Sequence, residues 1–338
     1  MIMREVQRMY KQPFLTIGIA NYNYSQHLIK AFKQIKAQKF IDYELLYCDD
    51  GSTDESLKII NTIIHENPQM NIRIYAGKHE GILENRNRII DNARGKYLLI
   101  CDADDYMESD CLKKLCDLAE KEDADCIIGG FDEVDEKGRI LKQHIPKLDA
   151  NKWLYTWHHA QIYKMDLVRD NQIRFIDLPD DVCFLQQIHL HSKKVFFVSE
   201  VLYKWIRHSD STSVNIEKNY AWHPQNIWKS LAEFISRIRD NVEDEGDILS
   251  LNYYLYKWYY FNIADVPENY NGTFKEMQFY MKKSCPNYRN LSFFCKILKV
   301  KDTYFARCAL IFCWMLEGMG GLFFIPRLRR MQHKIRGI

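Results

Sequence analysis

Residues 14–20 form an apolar run without alternation. The polar stretch Asn21-Tyr22-Asn23-Tyr24 follows, and from about Ser25 apolar residues recur at helical spacing, placing Leu28, Ile29, Phe32 and Ile35 on one face. Ser25 has the chemistry of an N-cap. The same order then repeats. Residues 43–48 predict a second buried strand, closed by Asp49-Asp50-Gly51-Ser52-Thr53-Asp54 ahead of a helix that carries Leu57, Ile59 and Ile60. Residues 72–75 predict a third strand, followed by a polar, glycine-containing loop and a helical segment over 83–93. The fourth run, 97–101, stops at Asp102-Ala103-Asp104-Asp105, with a further helix starting near Asp110. Runs that do not alternate belong to strands covered on both faces. Strands that alternate with helices at this spacing predict right-handed crossovers, an α/β fold and a mostly parallel sheet flanked by helices.

In an open α/β sheet, ligands bind beyond the carboxyl ends of the strands. Asn21 with Tyr22, Asp49 with Asp50, Arg86 from the following helix and the triple carboxylate therefore converge on one edge. Carboxylates this dense repel one another unless a cation or a set of donors offsets them, and Mg²⁺ or Mn²⁺ carrying a diphosphate is a common solution. In the plainer alternative, Asp105 or Ser109 caps the next helix and the other acids are solvated. An aromatic beside a carboxylate that can accept a base N–H, next to a metal-binding loop, suits a uridine diphosphate group. Tyr22 also reads as a rim aromatic, and 49–52 as an ordinary turn and cap. Neither GxGxxG nor GxxxxGK[ST] occurs, which sets aside a dinucleotide fold and a P-loop.

Beyond Ile216 the β signals cease and helices over 222–238 and 248–263, dense in aromatics, predict a separate lobe. The expected division is a catalytic domain over 1–215 and a helical region over 216–338. Residues 308–325 are nearly all apolar but are broken by Glu317, Gly318, Gly320 and Gly321, and Arg327, Arg329, Arg330, Lys334 and Arg336 follow. A central acid and a glycine cluster argue against a membrane span. An in-plane helix beside anionic lipid, making a peripheral membrane contact through 308–336, is one reading; packing on the lobe or on a sister subunit of a homo-oligomer is the other.

The 338 residues, 47% of them hydrophobic, are enough for one large core and a second smaller one. A net charge of +2 argues against a nucleic-acid partner. Ten scattered cysteines without a CxxC pair, and no signal peptide after Met1, favour a reduced, cytoplasmic setting. Trp157-His158-His159 and His189-x-His191 lack a third ligand at fixed spacing, so metal binding is not expected there. His189 and His191 read as the polar face of a helix over 182–190. Pro179 followed by Asp180 and Asp181 is a good helix start.

These residues resemble family 2 of the glycosyltransferases, whose members have the Rossmann-like GT-A fold. The motifs that carry the resemblance are residues 19–28, Asp49-Asp50-Gly51-Ser52-Thr53-Asp54 and Cys101-Asp102-Ala103-Asp104-Asp105. Asn85-Arg86-Asn87 stands where the family has Ala-Arg-Asn, and Asp180-Asp181-Val182 where it often has Glu-Asp-Val. Residues 203–213 are similar to its Tyr-x-Tyr-Arg-x-His-x-x-Ser-x-Ser segment. The likeness covers roughly the first two-thirds of the chain.

The resemblance implies a donor site of Ala20, Asn21, Tyr22, Asp49, Asp50, His79, Arg86, Asp102, Ala103 and His208. Tyr22 and Asp50 would hold uracil, Asp49 would support the loop, and Arg86 would contact the acidic loop or the diphosphate. Asp104 would be the principal ligand of Mn²⁺ or Mg²⁺, joined by Asp102 and His208. Asp181 would be the catalytic base with Asp180 its neighbour near the acceptor, and His158 and His159 would lie in a loop near the acceptor. Three positions depart from the family: His79 replaces the Asn of its N-x-G loop, Ile206 stands where Arg is expected with Arg207 one place later, and Asp180 is shorter than Glu. The implied activity is inverting transfer of a hexosyl or N-acetylhexosaminyl group from a UDP-sugar to a hydroxyl of a glycan, glycolipid or polyol-phosphate acceptor. Its setting would be surface polysaccharide or cell-wall synthesis in the cytoplasm, at the inner face of the membrane. A nucleotidyltransferase ranks second, because Ala20-Asn21-Tyr22 replaces the glycine-rich loop it would need. An idle glycan-binding or scaffold protein ranks third, since Asp102, Asp104 and Asp181 are all present.

Overall fold

A computed structural model of the chain describes residues 12–176, 180–208, 224–264, 271–321 and 324–325. The strands are β1 (Leu15–Asn21), β2 (Tyr43–Asp49), β3 (Ile72–Ala76), β4 (Tyr97–Ile100), β5 (Tyr106–Met107), β6 (Cys126–Asp135), β7 (Ile140–His144), β8 (Gln161–Lys164) and β9 (Val195–Arg207). The helices interleaved with them are α1 (Ser25–Lys36), α2 (Ser56–Glu66), α3 (Ile82–Asn92), α4 (Cys111–Glu122), α5 (Met165–Asp170) and α6 (Asp180–His191). Among the described residues one sheet holds nine strands in the order β3-β2-β1-β4-β8-β6-β9-β5, with β7 paired to β6.

The α/β fold with a mostly parallel sheet is what the apolar runs predict. β3, β2, β1 and β4 are parallel, as are β6 and β9, while β8 inserts antiparallel between β4 and β6. β4 is buried throughout, and Leu15, Ile17 and Ile19 of β1 are fully covered. A Cβ on Gly18 would lie 2.3 Å from the Ile89 side chain, so the missing side chain is what lets α3 close on β1. All ten cysteines are free thiols.

Local details differ from expectation. Ser25 is the first residue of α1 and not its cap; its N–H is met at 3.0 Å by the Asp54 carboxylate from the next loop. Ile29 turns outward on the same helix. His189 is completely buried, so only His191 lies on an exposed face of α6. Asp105 caps no helix: Asp110 precedes α4, and its side chain pairs with Lys114 at 2.9 Å.

The chain divides into two compact units. One comprises Met1–Ala150, Trp157–Ile176 and Gln187–Ser209, and the other Asn151–Thr156, Asp177–Gln186 and Asp210–Ile338. The described helices of the second unit after Asp210 are α7 (Pro224–Arg239), α8 (Glu245–Ala264), α9 (Asn271–Ser284), α10 (Leu291–Ile297) and α11 (Tyr304–Gly318). Its short insert 151–156 is tied in by buried Trp153, whose indole N–H donates to Asp247 at 2.6 Å, and by Asn151, whose amide donates to Ser250 at 2.8 Å.

Glu317, near the end of α11, is 8% exposed. One of its oxygens accepts from Tyr259 (2.9 Å), Tyr288 (3.1 Å) and Gln278 (3.1 Å), and the other from Tyr260 (2.7 Å) and Arg289 (3.2 Å). The acid expected to interrupt an apolar segment is thus the centre of a satisfied polar cluster. Among the described residues no helix is long and apolar enough to cross a membrane. The basic residues 327–336, and Ser211 and Ser213 of the 203–213 motif, lie outside the described residues.

Candidate active site

Register aligns the carboxyl ends of the parallel strands. Asn21 pairs with Asp49 across β1 and β2, and Gly18 with Ile100 across β1 and β4, so the loops after all three strands leave from the same edge.

The first two loops are laced together. Asp49, fully buried, accepts from Asn21 Nδ2 (3.1 Å), Tyr47 Oη (3.2 Å), Ser52 N (2.8 Å) and Ser52 Oγ (2.7 Å). Asn23, in the left-handed region at φ 56°, uses its side-chain carbonyl to accept from the Thr53 N–H at 2.8 Å. Gly51 turns the second loop at φ 73°, and a Cβ there would lie 2.8 Å from the His79 nitrogen. Only glycine suits both the turn and the approach of the next loop.

Asp50 is 2% exposed and is met from four sides. The backbone N–H groups of Glu80 (3.0 Å) and Gly81 (2.9 Å) and the Arg88 guanidinium (3.0 Å) donate to it, and His79 Nδ1 lies at 2.8 Å. The His79 ring also stacks on Tyr22, with centroids 4.0 Å apart and planes 17° from parallel. Tyr22 itself is 42% exposed. Arg88 carries no signal in the sequence, because nothing at a separation of 38 residues marks it as the partner of Asp50.

The acidic loop separates its carboxylates into different environments. Asp102 is held between Arg86 Nη2 at 3.4 Å and His158 Nε2 at 3.2 Å. Burial alone would raise its pKa, but the charge and hydrogen bond of His158, then Arg86, outweigh burial and hold the carboxyl well below the usual range. Asp105 goes the other way. Burial, then repulsion from Asp102 and Asp104, pushes its pKa well above normal, although Ile206 N (2.9 Å) and Tyr203 Oη (2.8 Å) both donate to it. Asp104 is half-buried on the same loop, and Ala103 is buried between the two outer acids.

Asp102, His158 and His159 bring potential ligand atoms within 4.8 Å of one another. The histidine pair therefore has the third partner that its local spacing did not supply: Asp102, 56 residues earlier. Both rings are buried, and His159 stacks near Tyr203 (5.2 Å) and Trp205 (5.4 Å). One carboxylate oxygen with two imidazole nitrogens fits a borderline divalent cation such as Mn²⁺ better than Mg²⁺, which prefers all-oxygen shells. His208 lies 3.6 Å from Glu136 through Nδ1 and packs on His27 at 5.1 Å. Asp181 is half-buried in the first turn of α6, whose Val182, Phe184, Leu185 and Ile188 are buried; the Asp180 side chain lies outside the described residues.

The model of the family "Glycosyl transferase family 2" matches residues 16–186, half of the chain. The chain belongs to glycosyl transferase family 2. The matched span holds the three loops, the histidine pair and Asp181. Among family relatives, the poly(ribitol-phosphate) beta-glucosyltransferase of Bacillus spizizenii is 25% identical over 218 residues, 62% of this chain and 34% of that protein. The chain thus spans about a third of that relative's length. The crystal structure of S. aureus TarS 1-349 in complex with UDP-GlcNAc superposes with a TM-score of 0.61 at 17% identity, covering 81% of this chain and 91% of that one. A mannosyltransferase from Pyrobaculum calidifontis in complex with GDP-Man and Mn²⁺ gives 0.56 at 13% identity over 97% of this chain and 93% of that one. At these identities the likeness is one of fold, and the fold is GT-A.

Proposed function

We propose that this glycosyltransferase moves a hexosyl or N-acetylhexosaminyl group from a UDP-sugar to a hydroxyl of a glycan, glycolipid or polyol-phosphate acceptor, with inversion at the anomeric carbon, in surface-polymer synthesis at the cytoplasmic side of the membrane. The observation that carries this reading is the shared strand edge on which Tyr22, the Asp50 loop and the acidic loop emerge together. TarS bound to UDP-GlcNAc supports the choice of donor.

Uracil stacks on Tyr22. Because four donors already fill the Asp50 carboxylate, a base N–H reaches it only when one of them leaves. His79 is the one free to do so: its side chain is 55% exposed, whereas the others are backbone groups and the mostly buried Arg88. The base therefore takes the place of the His79 ring on both Tyr22 and Asp50. Asp49 holds the loop, with Ala20 and Asn21 lining the same edge. Arg86 and His158 fix Asp102 in its ionised form toward ribose or sugar.

Asp104 and Asp102 would hold Mn²⁺ or Mg²⁺; His158 and His159 would favour Mn²⁺, His158 giving up its proton as the ion takes over from it in offsetting the Asp102 charge, and His208 stands toward the departing diphosphate. Such an ion supplies neutralisation of the leaving group's charge. Asp181 takes the proton of the acceptor hydroxyl and Asp180 orients the acceptor. Attack opposite the leaving group turns an α-linked donor into a β-glycoside.

Calorimetry tests the reading: UDP should bind in the presence of Mn²⁺ and more weakly after chelation, and ADP and GDP should bind poorly. Equal affinity for all three nucleotides would overturn the base pocket, and equal affinity with and without Mn²⁺ would overturn the metal.

A further inference from the structure

Helix α11 has two faces of opposite character. At 100° per residue Glu317 and Leu310 point the same way, and both are buried. The five donors on Glu317 lock that side onto α8, α9 and the 285–290 turn, since removing a buried carboxylate from such a cluster is costly. Diametrically opposite, within an arc of about 120°, lie Tyr304, Phe305, Ile311, Phe312, Met315 and Met319, every one of them exposed. Tyr304 and Phe305 are 79% and 78% exposed. Arg307 and Glu317 are the only charged residues from 304 to 319, and neither is exposed.

We propose that this outward face of α11 docks on an anionic lipid bilayer, the helix lying in the plane of the interface. Charge complementarity selects the occupant. The sequence that follows carries Arg327, Arg329, Arg330, Lys334 and Arg336 and contains no acid after Glu317. An apolar helical face followed in sequence by a basic cluster is the combination that inserts among acyl chains while cations meet anionic headgroups. The helix has 15 residues, about 22 Å, which is shorter than a hydrocarbon core, so it lies on the membrane and does not cross it. The Glu317 cluster gives the arrangement its direction: α11 cannot roll its aromatic face inward without unmaking five hydrogen bonds.

Flotation of the full chain with vesicles tests this without reference to transfer activity. The protein should float with phosphatidylcholine vesicles containing about a third phosphatidylglycerol, and less with phosphatidylcholine alone. The double variant Phe305→Glu, Phe312→Glu should lose flotation while keeping the thermal midpoint of the parent, because both side chains are exposed. The triple variant Arg327→Gln, Arg329→Gln, Arg330→Gln should bind anionic vesicles more weakly by roughly two orders of magnitude, about fivefold per cation. A parent that stays with the soluble fraction, or a double variant that floats as the parent does, overturns the proposal. So does lipid-free self-association of a non-floating parent that the double variant abolishes, which would assign the face to a second copy.

Discussion

Two carboxylates, one in each unit, are drawn out of water by entirely different company. Glu317 receives five hydrogen bonds from three tyrosines, a glutamine and an arginine, all from the helical unit's own elements. Asp102 is held by Arg86 and His158 at the mouth of a strand edge, beside a second acid, with 29% of its side chain in contact with solvent. Burial of charge does not separate structure from function; saturation does. A carboxylate with a donor for every lone pair holds helices together, while one that keeps an open side and perturbs its neighbours' protonation is available to a ligand. By this measure Asp49 belongs with Glu317, and Asp50 becomes a ligand contact only if one donor steps aside.

The largest effect should come from the acid proposed to do chemistry. Asp181→Asn keeps the size of the residue and gives up only its charge in the first turn of α6, so folding and UDP affinity should be retained while transfer falls by about 10²–10⁴-fold. Near-normal turnover would place the base elsewhere. Glu317→Leu should leave transfer chemistry untouched but strand Arg289 and three tyrosine hydroxyls, costing about 3–5 kcal/mol in the urea transition of the helical unit. A change of less than ~1 kcal/mol would deny the cluster its anchoring role.

His79→Ala removes the competitor for Tyr22 and Asp50, and UDP should bind about fivefold more tightly by calorimetry, the net worth of about one hydrogen bond. Weaker binding would make His79 a contact of the base itself. The smallest effect belongs to Asp105→Asn. Because the folded pKa of Asp105 is raised, its contribution to stability is complete below the unfolded value of about 4 and is lost as pH rises through the folded value. The neutral amide should match the parent in acid and surpass it with rising pH in thermal melts. If instead the variant is the less stable at alkaline pH, the raised pKa is wrong.

Much of this was legible from periodicity. The non-alternating runs at 14–20, 43–48 and 97–101 match β1, β2 and β4 within a residue or two, because strands buried on both faces admit little but apolar side chains. β6 and β9 were not found. Gly129 and Gly130 interrupt β6, and β9 reads as mixed polar and apolar because one stretch of it is exposed. Site contacts divided along the same line. Asp49 and Ser52 are three residues apart and read as a turn, whereas Asp102 with His158, and Asp50 with Arg88, are pairings made only when distant strands come together. Sequence can nominate each residue, but it carries no signal for which of them meet.

The insert 151–156 has a consequence for how the chain is made. Trp153 is fully packed in the finished protein, yet its hydrogen-bond partner Asp247 lies 94 residues further along. At ribosomal rates of about 5–20 residues per second, the indole emerges roughly 5–20 s before the helix that will cover it. For that interval the nascent chain carries a tryptophan that its own unit cannot yet cover, whereas every segment of the other unit, which ends at Ser209, is made before Asp247.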